Sequence, residues 1–291
     1  MINVKELPGK IERYIRHLRD FYLRKYSKEV LPTGIFDKTI NHYKVSFCTT
    51  CMNRLFHLKY TLEKNIKDNI NYPKVEFILI NYNSQDNLHS WIKNKFKKYI
   101  DSGILIYAYT NTPSHFHASK AKNLAHKLAT GDIVCNLDGD NFTGENYAFY
   151  INYLFNQHGK NHLFHFKKAP YWGTEGRIVM TRENFISLGG YDESFLATGH
   201  EDHDLINRAV AMGLEYKNIQ IENFLRYLSN TTREKAKNCS KDEINYYDLE
   251  SKNRIISEEN IKNRKLVANQ KNGWANSKLY INFSNNLTSL S

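Results

Sequence analysis

The sequence predicts an α/β domain with a parallel sheet that is covered by helices on both faces. Short β-rich runs alternate with stretches of helical periodicity through the first half of the chain. This alternation, with room for one helix between two strands, is typical of parallel sheets. The β-rich runs are residues 43–49, 75–82, 103–109 and 132–138, and the helical stretches between them are 55–66, 88–99 and 118–128.

Residues 4–30, ahead of the first strand, have the pattern of a basic amphipathic helix. Apolar side chains recur at helical spacing with arginines between them, and Pro32 and Gly34 end the pattern. A helix of this kind packs on its own domain or lies on an anionic membrane surface. The sequence leaves both alternatives open.

The second half of the chain is more mixed. Residues 162–166 and 177–181 are predicted strands, and residues 201–212 are a predicted helix. After Asn230 the chain becomes rich in Lys, Asn and Glu, with a helical pattern near 241–266 that is followed by a polar tail. No internal repeat is present, so a repeat architecture is not expected.

The composition excludes several protein classes. The chain has 291 residues, of which 41% are hydrophobic and 24% are charged, as in ordinary globular proteins. No apolar run reaches the roughly 20 residues that span a bilayer, and the first residues lack the apolar segment of a secretory signal. The four cysteines are too few for a disulfide framework and favour a reducing compartment. We expect a soluble, cytoplasmic protein.

The net charge of +11 fits a nucleic acid, an anionic membrane or a phosphorylated small molecule as partner. The basic residues are spread along the chain, and it has no zinc-finger spacing, RNA-recognition signature or helix-turn-helix pattern. We therefore expect no nucleic acid partner. The sequence does not decide whether the basic ends contact an anionic membrane peripherally or form an oligomer contact.

The pair Cys48-x-x-Cys51 has the spacing of a redox motif or of half a zinc site. No second CxxC or CxxH pair accompanies it, and Cys48 lies within a predicted buried strand. We therefore expect neither metal binding nor redox chemistry from these cysteines.

Asp138-Gly139-Asp140 closes the fourth β-rich run. Two carboxylates separated by one small residue can converge on a divalent cation, which prefers hard oxygen ligands. The same tripeptide is also common in solvated turns. Its position favours the metal site, because an open α/β sheet binds ligands at the carboxyl ends of its strands. For the same reason we expect functional loops after Thr49 and Tyr82.

A second acidic cluster, Glu201-Asp202-His203-Asp204, opens the predicted helix 201–212. Acidic residues at this end interact favourably with the helix dipole, so a purely structural cap is one interpretation. Asp202 and Asp204 point to different faces of a helix and are therefore not a chelating pair. With the apolar residues of the helix on the core, Glu201 or Asp202 would face a cleft, where a carboxylate can accept a proton from a substrate hydroxyl.

Four segments, in their order along the chain, resemble the GT-A glycosyltransferases, most closely the family 2 enzymes and the galactosyltransferase C-terminal pattern. They are SFCTTCMNR (46–54), LINYNSQD (79–86), ASKAKNLAHKLATGDIVCNLDGDN (118–141) and GGYDESFLATGHEDHDLINRAVAMG (189–213). The resemblance implies a Rossmann-like mixed sheet flanked by helices in residues 39–230. An N-terminal basic helix (1–38) and a basic helical C-terminal extension (231–291) would flank this catalytic domain.

The resemblance also implies roles for particular residues. Asp202 would be the catalytic base, with Glu201, Trp172 and Gly173 on the acceptor side. Asp138 and Asp140 would hold the donor ribose and a divalent cation, Mn²⁺ or Mg²⁺. Six further residues would contact the donor nucleotide: Thr49, Asn53, Arg54, Asp86, Lys122 and Asn123. Among them, Asp86 would recognise the base, usually uracil.

One feature departs from the family pattern. Many GT-A enzymes supply a further metal ligand, commonly a histidine, well downstream of the base, but the last histidine of this chain is His203. Two interpretations stay open. Asp140 holds the cation with waters and donor phosphates, or another side chain, such as His200 or His203, completes the site.

We expect a hexosyltransferase that moves a sugar from a nucleotide donor, most simply a UDP-sugar, to a hydroxyl of a glycan, a lipid-linked glycan or a protein. A single displacement with one base inverts the anomeric carbon. One alternative is a catalytically silent protein that binds polyanions or membranes on the same scaffold. Another is a sugar-phosphate nucleotidyltransferase, although CTTCMNRL is not the Gly-rich phosphate loop of those enzymes.

Overall fold

A nine-stranded sheet runs through the part of the chain that the computed structural model describes, which is residues 31–168, 172–231, 234, 237–240, 245–271 and 273–290. The strands are β1 (Val45–Cys51), β2 (Val75–Tyr82), β3 (Leu105–Thr110), β4 (Ile133–Asn136), β5 (His162–Phe166), β6 (Ile178–Thr181), β7 (Glu215–Ile219), β8 (Ser277–Ile281) and β9 (Leu287–Leu290). Their order is β7-β5-β6-β4-β1-β2-β3-β8-β9. The helix predicted over 4–30 lies outside the described residues.

The centre of the sheet is parallel. β1 pairs in parallel with both β2 and β4, and β2 pairs in parallel with β3. Helices connect these strands: α1 (Leu55–Asn69), α2 (Leu88–Lys95), α3 (Lys97–Asp101) and α4 (Ala118–Leu128). The predicted alternation of strand and helix is thus confirmed, and it brings the carboxyl ends of β1, β2 and β4 to one edge.

The flanks of the sheet are antiparallel, so the sheet as a whole is mixed. β6 pairs antiparallel with both β4 and β5, while β5 pairs in parallel with β7. The helices α5 (Tyr147–His158), α6 (Arg182–Ser187) and α7 (Glu201–Ala211) belong to this half. A mixed sheet flanked by helices is the predicted architecture, and it is confirmed.

Side chains alternate between the two faces of the sheet, and each face carries its own apolar layer. Phe47 of β1 lies in one layer and the next residue, Cys48, lies in the other. Because residues three apart in a strand also face opposite ways, Cys51 belongs to the layer of Phe47. Cys48 and Cys51 are therefore separated by the sheet. All four cysteines are buried and outside disulfides.

The C-terminal region contains a helix, as predicted, and two strands that the sequence did not predict. The helix α8 (Tyr246–Lys262) packs on α7. Beyond it, the polar tail forms the hairpin β8–β9, which pairs antiparallel with β3. The ring of Tyr280 stacks on that of Tyr109 at 4.9 Å, and Leu279 is fully buried. These few apolar contacts anchor a segment that is otherwise polar.

Within the described residues, the structure has no helix that is both long enough and apolar enough to cross a membrane.

Candidate active site

A cavity of about 530 Å³ opens at the edge of the sheet where β1 and β4 end. Its wall combines the loop after β1, the turn after β4, the segment before β6 and the beginning of α7. Seven of the residues to which the family resemblance assigns a role line it: Arg54, Lys122, Asp138, Asp140, Gly173, Glu201 and Asp202. The structure thus brings together the two acidic clusters, although about 60 residues separate them in the chain.

Gly176 marks the place where the two clusters meet. A Cβ atom built on Gly176 would lie 2.7 Å from Oδ2 of Asp138 and 3.1 Å from Oδ2 of Asp202. Both carboxylates therefore border one small space that the missing side chain of Gly176 leaves open. A larger residue at this position would fill that space.

The turn after β4 holds the two aspartates in different ways. The Asn136 amide donates hydrogen bonds to Oδ1 of Asp138 (3.2 Å) and to the carbonyl oxygen of Gly176 (2.8 Å). The Asp140 carboxylate accepts one hydrogen bond from the Asn141 amide (2.7 Å) and another from the Asn230 amide. These amides orient both carboxylates.

A divalent cation is compatible with these carboxylates. Oδ2 of Asp138 faces the open space beside Gly176, and Asp140 lines the same cavity. Within the described ranges, no three His, Cys, Asp or Glu side chains come together as a metal site. The protein thus offers hard oxygen ligands but not a complete set, so a cation bound here needs further oxygens from phosphates or water.

Lys122 connects the cavity to the beginning of α7. Its ammonium nitrogen lies 2.7 Å from Oδ1 of Asp202 and 2.9 Å from Oε1 of Glu201, and all three side chains are largely buried. Burial would lower the pKa of Lys122, but the two carboxylates outweigh it and hold that pKa well above its usual range. Lys122 is therefore a permanent cation in the cavity.

The two carboxylates beside Lys122 differ in their proton affinity. Burial opposes ionisation of Glu201, but Lys122 and the Gly199 N–H, which donates to Oε2 (2.8 Å), keep its pKa below the ordinary value. Burial raises the pKa of Asp202 to about 7, and the charges of Glu201 and Asp138 add to this against the effect of Lys122. Of the two, Asp202 is the group that can take up a proton near neutral pH.

The backbone before α7 turns sharply to present these residues. Gly199 and His200 have φ angles of +96° and +69°, in the left-handed region. One turn further along α7, Asp204 forms a buried ion pair with Arg208 (2.7 Å), and Arg208 also donates to the Gly190 carbonyl oxygen (2.9 Å). Asp204 is thus structural, and it faces away from Asp202 as predicted from helix geometry.

Four of the predicted donor-binding residues do not line the cavity. Thr49 is buried within β1. Asn53 connects two loops: its carbonyl oxygen accepts from the Gln85 N–H (2.6 Å) and its amide donates to Asn238 (3.0 Å). The other two, Asp86 and Asn123, bind backbone groups.

Asp86 connects the beginnings of two helices. Its carboxylate accepts from the Leu55 N–H of α1 (2.8 Å) and from the Leu88 N–H of α2 (3.2 Å), where the helix dipoles favour a negative charge. Asn123 binds both backbone groups of Tyr191, each at 2.8 Å. The Tyr191 ring in turn lies 5.2 Å from the Lys122 ammonium. Asp86 and Asn123 therefore hold backbone segments next to the cavity in place, without lining it themselves.

The predicted acceptor-side segment forms a short 3₁₀ turn, Trp172–Thr174. Only glycine fits at Gly173, since a side chain there would overlap the ring of Tyr227. The side chain of Trp172 lies outside what the structure describes. His200 and His203 both line the cavity with their rings 5.4 Å apart, and Nε2 of His203 lies 3.7 Å from Oε2 of Glu175.

Sequence reasoning missed several residues of the cavity. Asn230 lines the cavity and connects two predicted residues, since its carbonyl oxygen accepts from Arg54 (2.8 Å) and its amide donates to Asp140. Behind the cavity wall, the fully buried Arg177 donates to Asn141 (2.9 Å), which in turn binds Asp140. Tyr247 and Glu250 of α8 line the cavity as well. Nothing in the local sequence marks these residues, because their role follows only from tertiary packing.

Comparison with known families and structures agrees with this arrangement. The family described as "Glycosyl transferase family 2" matches residues 46–163, and the one described as "N-terminal domain of galactosyltransferase" matches residues 159–230. Together they span more than half of the chain and include both acidic clusters. No curated protein sequence matches the chain.

Two solved structures illustrate the fold. One is the mannosyltransferase PcManGT from Pyrobaculum calidifontis in complex with GDP-Man and Mn²⁺, with a TM-score of 0.51 and 19% identity over 72% of this chain and 62% of that one. The other is TarS from S. aureus, with a TM-score of 0.50 and 15% identity over 61% of this chain and 35% of TarS. The chain thus spans less than two thirds of either protein, and the similarity concerns the fold.

Proposed function

We propose that this chain, which belongs to the GT-A fold glycosyltransferases, transfers a sugar from a nucleoside diphosphate donor to a hydroxyl of an acceptor with inversion of the anomeric carbon. The observation that carries the proposal is the meeting of Asp138 and Asp202 around Gly176. In this proposal Asp138 binds the cation, and Asp202 is the carboxylate whose pKa is raised. The two border one space, and the sugar carbon reacts there, between the leaving diphosphate and the incoming acceptor hydroxyl.

The donor is held at the end of β4 in this proposal. A divalent cation, Mn²⁺ or Mg²⁺, bound by Asp138 and Asp140 would offset the negative charge of the leaving diphosphate. Lys122 lies in the same cavity as a fixed positive charge and acts on that group as well. UDP is the first nucleotide to test. GDP is the second, because the mannosyltransferase of similar fold was solved with GDP-Man.

The acceptor is activated by Asp202. A sugar hydroxyl is a poor nucleophile until a base removes its proton, and Asp202 is positioned in the cavity to do so. Lys122 holds the Asp202 carboxylate in place through Oδ1 and leaves Oδ2 directed towards Gly176. The single base and one displacement step give inversion.

Nucleotide binding tests the donor half of the proposal. UDP with Mn²⁺ is expected to raise the thermal unfolding midpoint by roughly 4 °C at 100 times its Kd, since such binding adds about 2.7 kcal/mol to the free energy of unfolding. Asp140→Asn should abolish the added effect of Mn²⁺ while a weaker effect of the nucleotide alone persists. If none of UDP, GDP, CDP and ADP shifts the midpoint, with or without Mn²⁺, the donor assignment is wrong.

The pH profile tests the role of Asp202. Its pKa of about 7 means that the carboxyl is protonated below neutral pH and cannot take up the proton of the acceptor hydroxyl. We therefore expect kcat/KM for transfer to fall as the pH is lowered through about 7, with one inflection that reports the free enzyme. A rate that is flat from pH 5.5 to 8 would contradict this assignment.

A further inference from the structure

The helix α8 contacts the loop that carries the catalytic residues. The four residues of α8 that face this loop and the beginning of α7 recur three or four positions apart, on one side of the helix: Tyr247, Glu250, Asn253 and Ser257. All four lie beyond residue 230, where the family matches end. These residues therefore lie outside the parts of the chain that the family models match.

Asn253 fixes the loop before α7. Its amide donates to the carbonyl oxygen of Gly199 (2.7 Å), and its carbonyl oxygen accepts from the Leu196 N–H (2.7 Å). The side chain of Asn253 is fully buried. One helical turn on, the buried Ser257 hydroxyl donates to Oδ1 of Asp204 (2.8 Å). α8 is thus held in a defined position relative to Glu201 and Asp202.

The backbone of α8 also approaches this loop closely. A Cβ built on Gly199 would lie 3.1 Å from Cα of Glu250, and Gly199 is already in a conformation that favours glycine. This close contact brings the next exposed side chains of the helix to the cavity. Tyr247, half exposed, and Glu250 both line it together with Asp202.

The chemistry of this part of the wall favours a neutral polyhydroxylated molecule. Its carboxylates outnumber its lysines. Lys122 pairs with Glu201 and Asp202, and Lys167 pairs with Glu175 at 2.7 Å, while Glu250 adds a further carboxylate. Carboxylates accept hydrogen bonds from sugar hydroxyls but repel phosphate and uronate groups. The rings of Tyr247, His200 and His203 offer apolar faces on which a sugar ring can stack.

We propose that Tyr247 and Glu250 form the acceptor subsite and that its occupant is a neutral sugar, with Tyr247 stacking on the sugar ring and Glu250 accepting from its hydroxyls. The inference rests on the proposed function, because it names the acceptor of that same site. It makes α8 a part of the acceptor-binding surface rather than an appendage.

The test uses the full chain with Mn²⁺, hexose donors that carry the nucleotide found by the binding screen, and p-nitrophenyl hexosides as acceptor probes. Tyr247→Ala and Glu250→Gln are each expected to raise the KM for the hexoside at least tenfold, while the KM for the donor changes less than twofold. Two matched controls are Tyr60→Ala, an exposed tyrosine of α1, and Glu258→Gln, an exposed glutamate of α8. Both should leave the two KM values unchanged.

The outcomes separate this inference from the proposed function. If the nucleotide and Mn²⁺ fail to bind, the proposed function fails. If they bind and the donor is hydrolysed but no neutral hexoside is a substrate, or if only p-nitrophenyl uronides or sugar phosphates are, the acceptor inference is overturned alone. Equal KM values for the hexoside in Tyr247→Ala, Glu250→Gln and the controls would also overturn it.

Discussion

Asp202→Asn is expected to lower kcat for sugar transfer by about 10²- to 10⁴-fold, the usual contribution of a general base. The substitution keeps the size of the side chain and its contact with Lys122, but it removes the carboxylate that takes up the proton of the acceptor hydroxyl. Nucleotide binding with Mn²⁺ should persist, because Asp138 and Asp140 lie on another segment. Steady-state kinetics together with the thermal shift of the nucleotide complex measure both effects.

The matched control for Asp202→Asn is Asp204→Asn, two residues along the same helix. Asp204 pairs with the buried Arg208 and binds Ser257, so its loss should cost about 3 kcal/mol of unfolding free energy, as for other buried ion pairs. Asp202→Asn should therefore affect the rate, and Asp204→Asn the stability. Near-normal turnover of Asp202→Asn, or a product whose NMR spectrum shows a retained anomeric configuration, would contradict the single-base mechanism.

Gly176→Ala is expected to reduce transfer by about 10²-fold and to weaken Mn²⁺ binding, although only one methyl group is added. The new Cβ would lie 2.7 Å from Oδ2 of Asp138, closer than such contacts allow, and 3.1 Å from Oδ2 of Asp202. One of these carboxylates has to move. Titration of Mn²⁺ in the presence of the nucleotide, followed by calorimetry, measures the first effect, and kcat measures the second.

Gly34→Ala is the control for Gly176→Ala. Its added methyl group meets only the ring of Tyr153, at 3.3 Å, and Gly34 does not line the cavity. Kinetics and Mn²⁺ affinity should stay as in the unchanged protein. If Gly176→Ala also retains both, the space between the two carboxylates is not where the reaction takes place.

The parts of the site that follow from local sequence were predictable. The predicted run 132–138 contains β4 and ends at Asp138, with Asp140 two residues further on, and the helix α7 begins at Glu201 and Asp202 as its pattern indicates. Strand ends of a parallel sheet meet at one edge, so the first cluster could be placed there from the sequence. The second cluster was placed beside it only through the family resemblance.

The parts that depend on tertiary contacts were not predictable. Asp86 was assigned to the nucleotide base, but its carboxylate binds the N–H groups of two helices, and the assignment stays a prediction. Likewise, no periodicity in the sequence indicates that Asn253 would bind the loop before α7. Single buried amides of this kind gain their partners only when distant segments pack together.

The C-terminal hairpin has a consequence for how the molecule behaves in a crowded solution. Without β8 and β9, the aromatic strand β3 would be an edge strand with unpaired backbone N–H and C=O groups, and such a strand is a template for aggregation. The hairpin pairs with Ala108 and Tyr109 of β3, and among the described residues the edge strand on this side is β9, a strand of four residues whose Thr288 and Ser289 are exposed. Short polar edge strands pair poorly with other chains, so the hairpin β8–β9 protects the sheet from edge-to-edge association.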